Sequence, residues 1–404
     1  MEGLDKRAPF TATGGIIPPE FRNIKTPCYI LDEKALIKNA KLLGEVAERT
    51  GCKMLLAQKA FSNYDCYRFL EPYLAGTEAS GLFEARLGAE EMPEKEVHVF
   101  CAGYRADEFE ELLQYADHIV FNSPTQLLRF GPGAKEAGKS VGLRINPECS
   151  TQDGHEIYDP CAPGSRMGTT RAQWDEAFQK NPELLDLLDG LHFHTLCEQD
   201  SDDLETTLVF VKKHFGDLAS RVKWINFGGG HHITRPGYDI ERLERCIRMA
   251  KDEWKVEVYL EPGEAWALNA GFLLTRVLDV LKNGKTEIAI VDASAACHMP
   301  DVLEMPYRPP LLGADDTEED RITVRLGGPT CLSGDVIGDY KFRQLPQYGD
   351  FLMFGDMAIY TTCKNNTFNG MPLPDIWLRR ADNTMQQLTD FGYADFKERL
   401  GSRK

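Results

Sequence analysis

The stretch Met54-Leu55-Leu56-Ala57-Gln58-Lys59-Ala60-Phe61-Ser62 decides how the rest of this chain of 404 residues is interpreted. A short apolar run, typical of a buried strand, ends in a lysine that is followed by small and polar residues. The pattern places an amine where a strand leaves the core. Because lysines are mostly exposed, an ordinary surface lysine is the simpler interpretation of Lys59 taken alone. A chemical role for this lysine therefore depends on the residues that accompany it.

The companions of Lys59 supply the other groups that one cofactor needs. Pyridoxal phosphate (PLP) requires a lysine for a Schiff base, a glycine-rich turn for its phosphate and a carboxylate for its pyridine nitrogen. Candidates for these and neighbouring roles follow in chain order: Phe193-His194, Phe227-Gly228-Gly229-Gly230, Glu261-Pro262-Gly263, Gly328-Pro329-Thr330-Cys331 and Tyr360. Together they predict PLP as the cofactor, bound through Lys59.

Composition excludes several classes of function. The length favours two domains, and 42% hydrophobic with 27% charged residues is ordinary for a globular protein. A net charge of −17 argues against nucleic-acid or membrane partners and favours a cationic substrate. Eleven cysteines without paired or metal-like spacing suit a reducing compartment. Since no stretch has membrane length and the first residues carry no secretory signal, we expect a cytoplasmic protein without a metal site.

Eight short apolar runs, separated mostly by helix-length amphipathic segments, predict an α/β fold, a TIM-type (β/α)8 barrel. The runs are 53–57, 74–79, 97–102, 118–121, 141–145, 190–193, 222–227 and 256–260. In such barrels the active site lies at the carboxyl ends of the strands. The candidates fall there, at strands one, five, six, seven and eight in turn: Lys59, Arg144, His194, Gly228 to Gly230 and Glu261.

The chain around this barrel predicts a second domain. The stretch from Pro27 to Leu31 is predicted to form a strand. A helix is predicted to follow it, with Asp32 as its N-terminal cap. After Glu261, strands without intervening helices predict an antiparallel β-barrel or sandwich. The expected division is a PLP-binding barrel at 32–262 and a β domain formed by 1–31 with 263–404. The expected strands of the β domain are 272–280, 287–293, 321–326 and 350–361. Two loops are also expected: 146–167, inserted after the fifth barrel strand and lying over the barrel mouth, and 313–320, an exposed acidic loop.

Each site candidate also has a simpler structural interpretation. Gly228, Gly229 and Gly230 can form a tight turn as readily as one whose N–H groups hold a phosphate. His194 can be a core histidine or stack against a cofactor ring. Glu261 carries the most chemistry, because a carboxylate beside the pyridine nitrogen keeps it protonated and strengthens the ring as an electron sink.

These residues resemble the alanine racemase-like (fold type III) PLP enzymes, and within them the ornithine and diaminopimelate decarboxylases. The resemblance runs from about Thr26 to Gly370 and rests on the motifs quoted above. Three longer strings are similar to the branch that decarboxylates carboxynorspermidine and carboxyspermidine. They are His192-Phe193-His194-Thr195-Leu196-Cys197-Glu198, Glu261-Pro262-Gly263-Glu264-Ala265 and His298-Met299-Pro300-Asp301-Val302-Leu303-Glu304-Met305-Pro306-Tyr307.

The resemblance implies a homodimer whose active sites each lie between the barrel of one subunit and the β domain of the other. It implies that Lys59 forms the Schiff base, that His194 stacks on the cofactor ring and that Glu261 binds the pyridine nitrogen. The phosphate would be held by Gly228, Gly229, Gly230 and Tyr360. Cys331 of the partner subunit would return a proton after carbon dioxide leaves.

Three departures from the family pattern bear on these roles. Glu264 stands where the relatives have an arginine, and Leu332 follows Cys331 where they have an acidic residue. Thr195-Leu196-Cys197 replaces the Gly-Ser-Gly that follows the stacking histidine. The first two are expected to alter substrate contacts, and the third puts one of the family's phosphate contacts in question. One more buried thiol is the simpler interpretation of Cys331.

The expected substrate is a cationic carboxylated polyamine. Its secondary and distant primary amines need acidic groups at more than one depth, for which we select Glu264, Asp301 and Asp292. Asp301 and Asp292 can equally be loop carboxylates that backbone N–H groups satisfy. The expected reaction is decarboxylation of carboxynorspermidine and carboxyspermidine to norspermidine and spermidine. The alternatives are a decarboxylase of a basic amino acid or diaminopimelate, and a non-catalytic regulator with the same fold.

Overall fold

The computed structural model describes residues 16–152, 159–314 and 321–401 of the chain. Two compact units are formed, one by Ile37–Trp266 and the other by the chain up to Leu36 together with Ala267 onward. The division at 32–262, and at 1–31 with 263–404, stays a prediction about the functional domains.

Strands and helices alternate in the first two thirds of the chain, and strands dominate the remainder. The strands are β1 (Cys28–Asp32), β2 (Lys53–Ala57), β3 (Gly76–Ala79), β4 (Glu96–Phe100), β5 (His118–Phe121), β6 (Ser140–Arg144), β7 (Gly190–His192), β8 (Trp224–Asn226), β9 (Glu257–Leu260), β10 (Gly271–Asn283), β11 (Thr286–Val291), β12 (Ile322–Gly327), β13 (Val336–Phe342), β14 (Phe351–Gly355), β15 (Asp375–Arg379) and β16 (Met385–Gln387). The helices are α1 (Glu33–Thr50), α2 (Tyr67–Leu70), α3 (Leu82–Glu91), α4 (Ala106–Tyr115), α5 (Pro124–Glu136), α6 (Arg171–Lys180), α7 (Leu184–Leu187), α8 (Ser201–Ala219), α9 (Ile240–Trp254), α10 (Glu264–Ala267), α11 (Ala295–His298), α12 (Asp301–Glu304), α13 (Thr361–Lys364) and α14 (Tyr393–Glu398).

Strands β2 to β9 form a closed parallel barrel in chain order, which confirms the predicted fold. Closure comes from the pairing of β2 with β9, in which Lys53 lies opposite Tyr259. The strands are almost continuously buried, as expected where helices cover the outside of a parallel sheet and side chains fill its inside. All eight carboxyl ends therefore meet at one end of the barrel.

Helix α9 shows why the intervening segments fold as helices against this barrel. Leu243, Ile247, Ala250 and Trp254 recur at helical spacing, and all four are buried. The Asp239 carboxylate accepts a hydrogen bond of 2.9 Å from the backbone N–H of Arg242 and caps the first turn. Similar amphipathic helices separate most of the barrel strands.

The second unit is a curled mixed sheet with the strand order β13-β12-β11-β10-β1-β15-β16, in which β14 also pairs with β10. Five of the strand pairs among the described residues are antiparallel, as predicted, whereas β1 with β15 and β11 with β12 are parallel. The alternation of a single strand sets which face is buried but not the direction of its partner. The apolar core of this unit includes Phe21, Ile30 and Leu274.

Several details of the second unit differ from the predictions. Strands β13, β15 and β16 were not predicted, because charged residues and exposed positions interrupt their alternation. The predicted strand 350–361 is shorter, since β14 ends at Gly355 and helix α13 begins at Thr361. The predicted cap is confirmed, because Asp32 accepts a hydrogen bond of 2.9 Å from the N–H of Ala35.

Parts of three predicted segments lie outside the described residues: 1–15 of the start, 153–158 of the predicted mouth loop and 315–320 of the acidic loop. The described parts of 146–167 contain no helix or strand. Among the described residues no helix has the length and apolar character needed to cross a membrane.

Candidate active site

Lys59 follows β2 at the carboxyl end of the barrel, as predicted, and its amine lies beside a buried carboxylate. The Nζ atom is 3.2 Å from Oε2 of Glu78, whose side chain is 2% exposed. Burial opposes protonation of Lys59, but the carboxylates of Glu78 and Glu261 outweigh it and raise the pKa of the amine. Burial likewise raises the pKa of Glu78, to about 7, although Lys59 acts in the opposite direction. Near neutral pH Lys59 is therefore protonated, whereas Glu78 can gain or lose a proton.

Glu78 is a site residue that the sequence reasoning missed. It stands in Gly-Thr-Glu-Ala, a strand whose four residues are all buried. An acidic residue in such a strand is costly unless it is paired, and that cost is the signal that could have identified Glu78.

Glu261 follows β9 at the same end of the barrel and is held by two neighbours. Its Oε2 lies 3.0 Å from Nε2 of His192, and its Oε1 accepts a 2.6 Å hydrogen bond from the amide of Asn226. Burial would raise the pKa of this carboxyl, but His192, Lys59 and His194 lower it to about 2. Glu261 is therefore an ionised carboxylate in a buried position.

His194 lies between two of the other candidates. Its Nδ1 accepts a weak hydrogen bond of 3.4 Å from the N–H of Gly229, and its carbonyl accepts one of 3.1 Å from Arg144. Burial, together with the charges of Lys59 and Arg144, lowers the pKa of the ring well below its usual value. The ring is therefore neutral, and a neutral imidazole can pack flat against an aromatic ring.

The glycine turn after β8 has a structural need for glycine. Gly228 and Gly230 have φ angles of +69° and +82°. A Cβ atom would lie 2.4 Å from the Phe193 carbonyl oxygen at Gly228 and 2.0 Å from that of Leu196 at Gly230. Chain packing thus accounts for these two glycines, and a glycine turn with such φ angles also suits an anion. The phosphate role of the triplet stays a prediction.

Glu264 belongs to a cluster that the sequence reasoning did not foresee. Its Oε2 lies 2.8 Å from Nε2 of the buried His232, and Glu198 completes the group. Burial opposes protonation of His232, but Glu264 and Glu198 outweigh it and raise its pKa. The predicted contact of Glu264 with substrate stays a prediction, and His232 is a resident partner that a substrate amine would meet there.

The second unit contains the remaining candidates. Cys331 is exposed, and its backbone N–H donates to the Asn369 side chain at 2.7 Å, so it is not one more buried thiol. Tyr360 has a φ of +55°, a conformation that is costly for a bulky residue and that is concentrated at functional sites. Neither observation tests the predicted role of its residue.

The two predicted substrate aspartates have partners within this unit. Lys364 is ion-paired with both Asp301 and Glu304, the latter at 2.6 Å. The carboxylate of Asp292 accepts hydrogen bonds from the hydroxyl of Thr26 at 2.6 Å and from the N–H of Arg276 at 2.9 Å. A structural role thus competes with the substrate role of Asp292, and both substrate contacts stay predictions.

The residues at the carboxyl end of the barrel fit PLP. An amine, an ionised buried carboxylate and a turn with positive φ angles provide for its aldehyde, its pyridine nitrogen and its phosphate. Lys59 contributes to the lowered pKa values of both His194 and Glu261, and Glu261 contributes to the raised pKa of Lys59, so these three groups share one site.

A parallel barrel with such a site, together with a curled sheet domain, defines the class of pyridoxal-dependent decarboxylases. Residues 28–358 match the family described as pyridoxal-dependent decarboxylase, C-terminal sheet domain, and the chain belongs to this family.

Three similar proteins have names more specific than that of the family. A carboxynorspermidine/carboxyspermidine decarboxylase of Campylobacter jejuni is 40% identical over 94% of this chain and 99% of its own length. One of the same name from Herminiimonas arsenicoxydans is 34% identical over 93% of this chain and 100% of its own length. A carboxyaminopropylagmatine decarboxylase of Synechocystis is 38% identical over 95% of this chain and 97% of its own length.

Solved structures agree in fold. Carboxynorspermidine decarboxylase from Campylobacter jejuni, complexed with norspermidine, superposes with a TM-score of 0.84 at 38% identity, over 93% of this chain and 100% of that one. Diaminopimelate decarboxylase from Helicobacter pylori, complexed with L-lysine, gives a TM-score of 0.80 at 21% identity, over 94% and 98% of the two chains. The second likeness shows the fold alone.

Proposed function

We propose that this chain catalyses the PLP-dependent decarboxylation of carboxynorspermidine and carboxyspermidine, giving norspermidine and spermidine. The observation that carries the proposal is the 40% identity, over nearly both full lengths, to a decarboxylase with that name. Lys59 and the buried carboxylates at the carboxyl end of the barrel supply the groups that the reaction requires.

Lys59 is the residue proposed to hold the cofactor, because its amine lies at the strand end beside Glu78. When bound, PLP supplies an electron sink for the electron pair that the departing carboxylate leaves on the substrate carbon. Glu78, with a pKa raised to about 7, can accept or return the proton that Lys59 exchanges.

Glu261 is proposed to face the pyridine nitrogen and to keep it protonated. Its pKa, lowered to about 2, ensures that it carries the negative charge which this role needs. His194 would pack against the ring, and Gly228, Gly229, Gly230 and Tyr360 would hold the phosphate.

The active site is proposed to be shared across a homodimer, with Cys331 of the partner subunit returning the proton after carbon dioxide leaves. Exposure of Cys331 within its own subunit is consistent with a function at an interface. Mixing inactive Lys59→Ala and Cys331→Ala chains under conditions that exchange subunits should restore part of the activity, since one hybrid site holds both intact residues. If such mixing restores nothing, the shared site is wrong.

The substrate is proposed to be held by acidic residues, with Glu264 and Asp301 favoured over Asp292. Asp292 lies among hydrogen-bond donors of its own unit, and burial raises its pKa. Glu264 lies 2.8 Å from Nε2 of His232 and Asp301 is ion-paired with Lys364, and a substrate ammonium can replace such a partner.

A cytoplasmic location fits this function. None of the eleven cysteines, all of which lie in the described ranges, forms a disulfide, as expected in a reducing compartment.

Carboxyaminopropylagmatine is a second candidate substrate, favoured by the 38% identity to the Synechocystis enzyme of that name. Agmatine ends in a guanidinium group, whereas the polyamines end in an ammonium group. The acidic cluster around His232 does not by itself distinguish these cations.

The test is release of carbon dioxide from a panel containing carboxynorspermidine, carboxyspermidine, carboxyaminopropylagmatine, ornithine, lysine, arginine and diaminopimelate. We expect the highest kcat/KM for the first two compounds. Higher kcat/KM for carboxyaminopropylagmatine would select the second candidate, and a preference for an amino acid or diaminopimelate would reject both. Absence of turnover with every compound, in protein that binds PLP, would favour the regulator.

A further inference from the structure

A buried polar network surrounds Glu261 at the carboxyl end of the barrel. The side chain of His192, on β7, is 1% exposed, and that of Glu261 is 3% exposed. Asn226, on β8, is buried as well. Water does not reach these groups, so each hydrogen bond among them is strong and each missing partner is costly.

The ring of His192 has one satisfied nitrogen. Its Nε2 lies 3.0 Å from Glu261, whereas its Nδ1 is buried without a hydrogen-bond partner among the described residues. A buried N–H without an acceptor costs more than a lone pair without a donor, so the proton belongs on Nε2. Burial lowers the pKa of His192, which agrees with a neutral ring. His192 therefore donates a hydrogen bond to an ionised Glu261.

The orientation of His192 is fixed by a stack of side chains. Its ring lies parallel to that of Phe100, at 5.5 Å between centroids and 12° between planes. The guanidinium of Arg144 lies 4.5 Å from the centroid of the Phe100 ring. Arg144 in turn donates to the carbonyl of His194. The imidazole cannot turn away from Glu261 without disturbing this stack.

Asn226 links Glu261 to the glycine turn. Its amide donates to Oε1 of Glu261 at 2.6 Å, and its carbonyl accepts the N–H of Gly228 at 2.9 Å. One side chain thus fixes both the carboxylate and the first amide of the turn.

We propose that His192 and Asn226 are positioning residues that together hold Glu261 against the pyridine nitrogen of PLP, and that Asn226 also sets the glycine turn for the phosphate. The inference rests on the proposed role of Glu261. Each oxygen of Glu261 then has one fixed protein donor, so the carboxylate cannot rotate when the cofactor approaches. His192 acts on the pyridine end alone, whereas Asn226 acts on both ends of the cofactor.

The variants separate these two effects. His192→Phe keeps a flat ring that can stack on Phe100 but cannot donate to Glu261, and His192→Gln restores an N–H donor. Asn226→Ala removes the donor to Glu261 and the acceptor for Gly228 together. Glu261→Gln is the reference, because it removes the charge that the network positions.

The measurements are the pH midpoint of the absorbance of bound PLP, and the dissociation constants of PLP and of pyridoxal, which lacks the phosphate. We expect His192→Phe to move the midpoint in the same direction as Glu261→Gln, by about one pH unit, with substantial recovery in His192→Gln. The ratio of pyridoxal to PLP dissociation constants should stay unchanged in His192→Phe and fall about tenfold in Asn226→Ala, since only the latter disturbs the phosphate end.

The outcomes distinguish this inference from the proposed function. If Glu261→Gln moves the midpoint and His192→Phe does not, the positioning role of His192 is wrong while the site stands. If the ratio is the same in Asn226→Ala and the unmodified protein, the link to the phosphate is wrong. If Glu261→Gln leaves the midpoint in place, both the inference and the role of Glu261 fail.

Thermal unfolding of each apo variant shows whether it is folded. If Asn226→Ala does not fold, Asn226→Ser is a smaller change with which the same ratio of dissociation constants can be measured.

Discussion

Lys53 and Lys59 belong to opposite ends of one strand, β2, and their surroundings differ. The amine of Lys53 lies 2.6 Å from Glu96, 2.9 Å from the hydroxyl of Tyr259 and 3.2 Å from Glu257. The amine of Lys59 lies 3.2 Å from Glu78, and both Glu78 and the ionised Glu261 raise its pKa. Lys53 completes a network at the amino end of the barrel, whereas Lys59 lies at the end where barrel enzymes have their active sites.

Histidines and glutamates occur at both ends, so residue types alone do not identify the site. At the amino end, the rings of His98 and His118 stack at 3.9 Å between centroids, and Nε2 of His98 lies 3.0 Å from Glu96. At the carboxyl end, Nε2 of His192 lies 3.0 Å from Glu261, and Nδ1 of His194 accepts a hydrogen bond from the N–H of Gly229. Polar clusters closed by mutual contacts thus occur at both ends of the barrel. The comparison teaches that the end of the strand, rather than the residue types around it, decides which lysine has a chemical role.

The largest effect expected from this comparison is that of replacing either lysine. Lys59→Ala should abolish the absorbance of bound PLP and lower activity by roughly a thousandfold or more, because the Schiff base needs its amine. Lys53→Ala should retain PLP and activity but unfold more easily, by roughly 1–3 kcal/mol, because it leaves Glu96 without its cationic partner. Absorbance spectra, decarboxylation assays and urea unfolding check both. Loss of PLP in the Lys53 variant would contradict the claim that only the carboxyl end of the barrel binds the cofactor.

An intermediate effect is expected from the carboxylates. Glu261→Gln should bind PLP but turn over about a hundredfold more slowly, because a neutral amide no longer holds the pyridinium charge. The matched control, Glu96→Gln, should turn over normally and melt at a lower temperature. Steady-state kinetics with carboxynorspermidine measure the first expectation, and thermal unfolding measures the second. Near-normal kcat in Glu261→Gln would mean that Glu261 is not the carboxylate that keeps the pyridine nitrogen protonated.

The smallest expected effect is a pH dependence of stability from the amino end. The pKa of His118 is lowered from 6.5 to about 3, mainly by burial and further by the neighbouring His98. Above pH 6.5 the ring is neutral in both the folded and unfolded states and contributes nothing to pH dependence. As pH falls from 6.5 toward 3, the unfolded chain binds a proton that the folded chain does not, so stability is lost.

His118→Phe should remove this loss. The variant should gain roughly 1–3 kcal/mol of unfolding free energy relative to the unmodified protein when the pH is lowered from 8 to 4.5. Urea unfolding at both pH values measures the change. An equal pH dependence in the two proteins would show that His118 titrates normally.

Much of the barrel could be predicted from the sequence because its signals are local. Strand β2 has the predicted bounds, and Lys59 and Glu261 follow strand ends where the apolar runs stop. Helix α1 begins where Asp32 predicts, because a cap is a contact between residues three positions apart.

The missed features depend on contacts between distant residues. Glu78, His192 and Asn226 each interrupt a buried strand, and an interruption does not show which residue of another strand it meets. The pairing of Asp292 with Thr26 joins segments 266 positions apart, so a carboxylate chosen for a substrate amine already has a partner. The parallel pairs β1 with β15 and β11 with β12 escaped prediction for the same reason, since strand direction is set by the course of the whole chain.

The most direct test of the account identifies the lysine that carries the cofactor. Borohydride reduction of the PLP-loaded protein fixes the cofactor to its amine, and proteolysis with mass spectrometry then locates the label. We predict a pyridoxyl label on the peptide containing Lys59 and none on Lys53. A label on Lys53 or on another lysine, with Lys59 unmodified, would contradict the assignment of the site to the carboxyl end of the barrel.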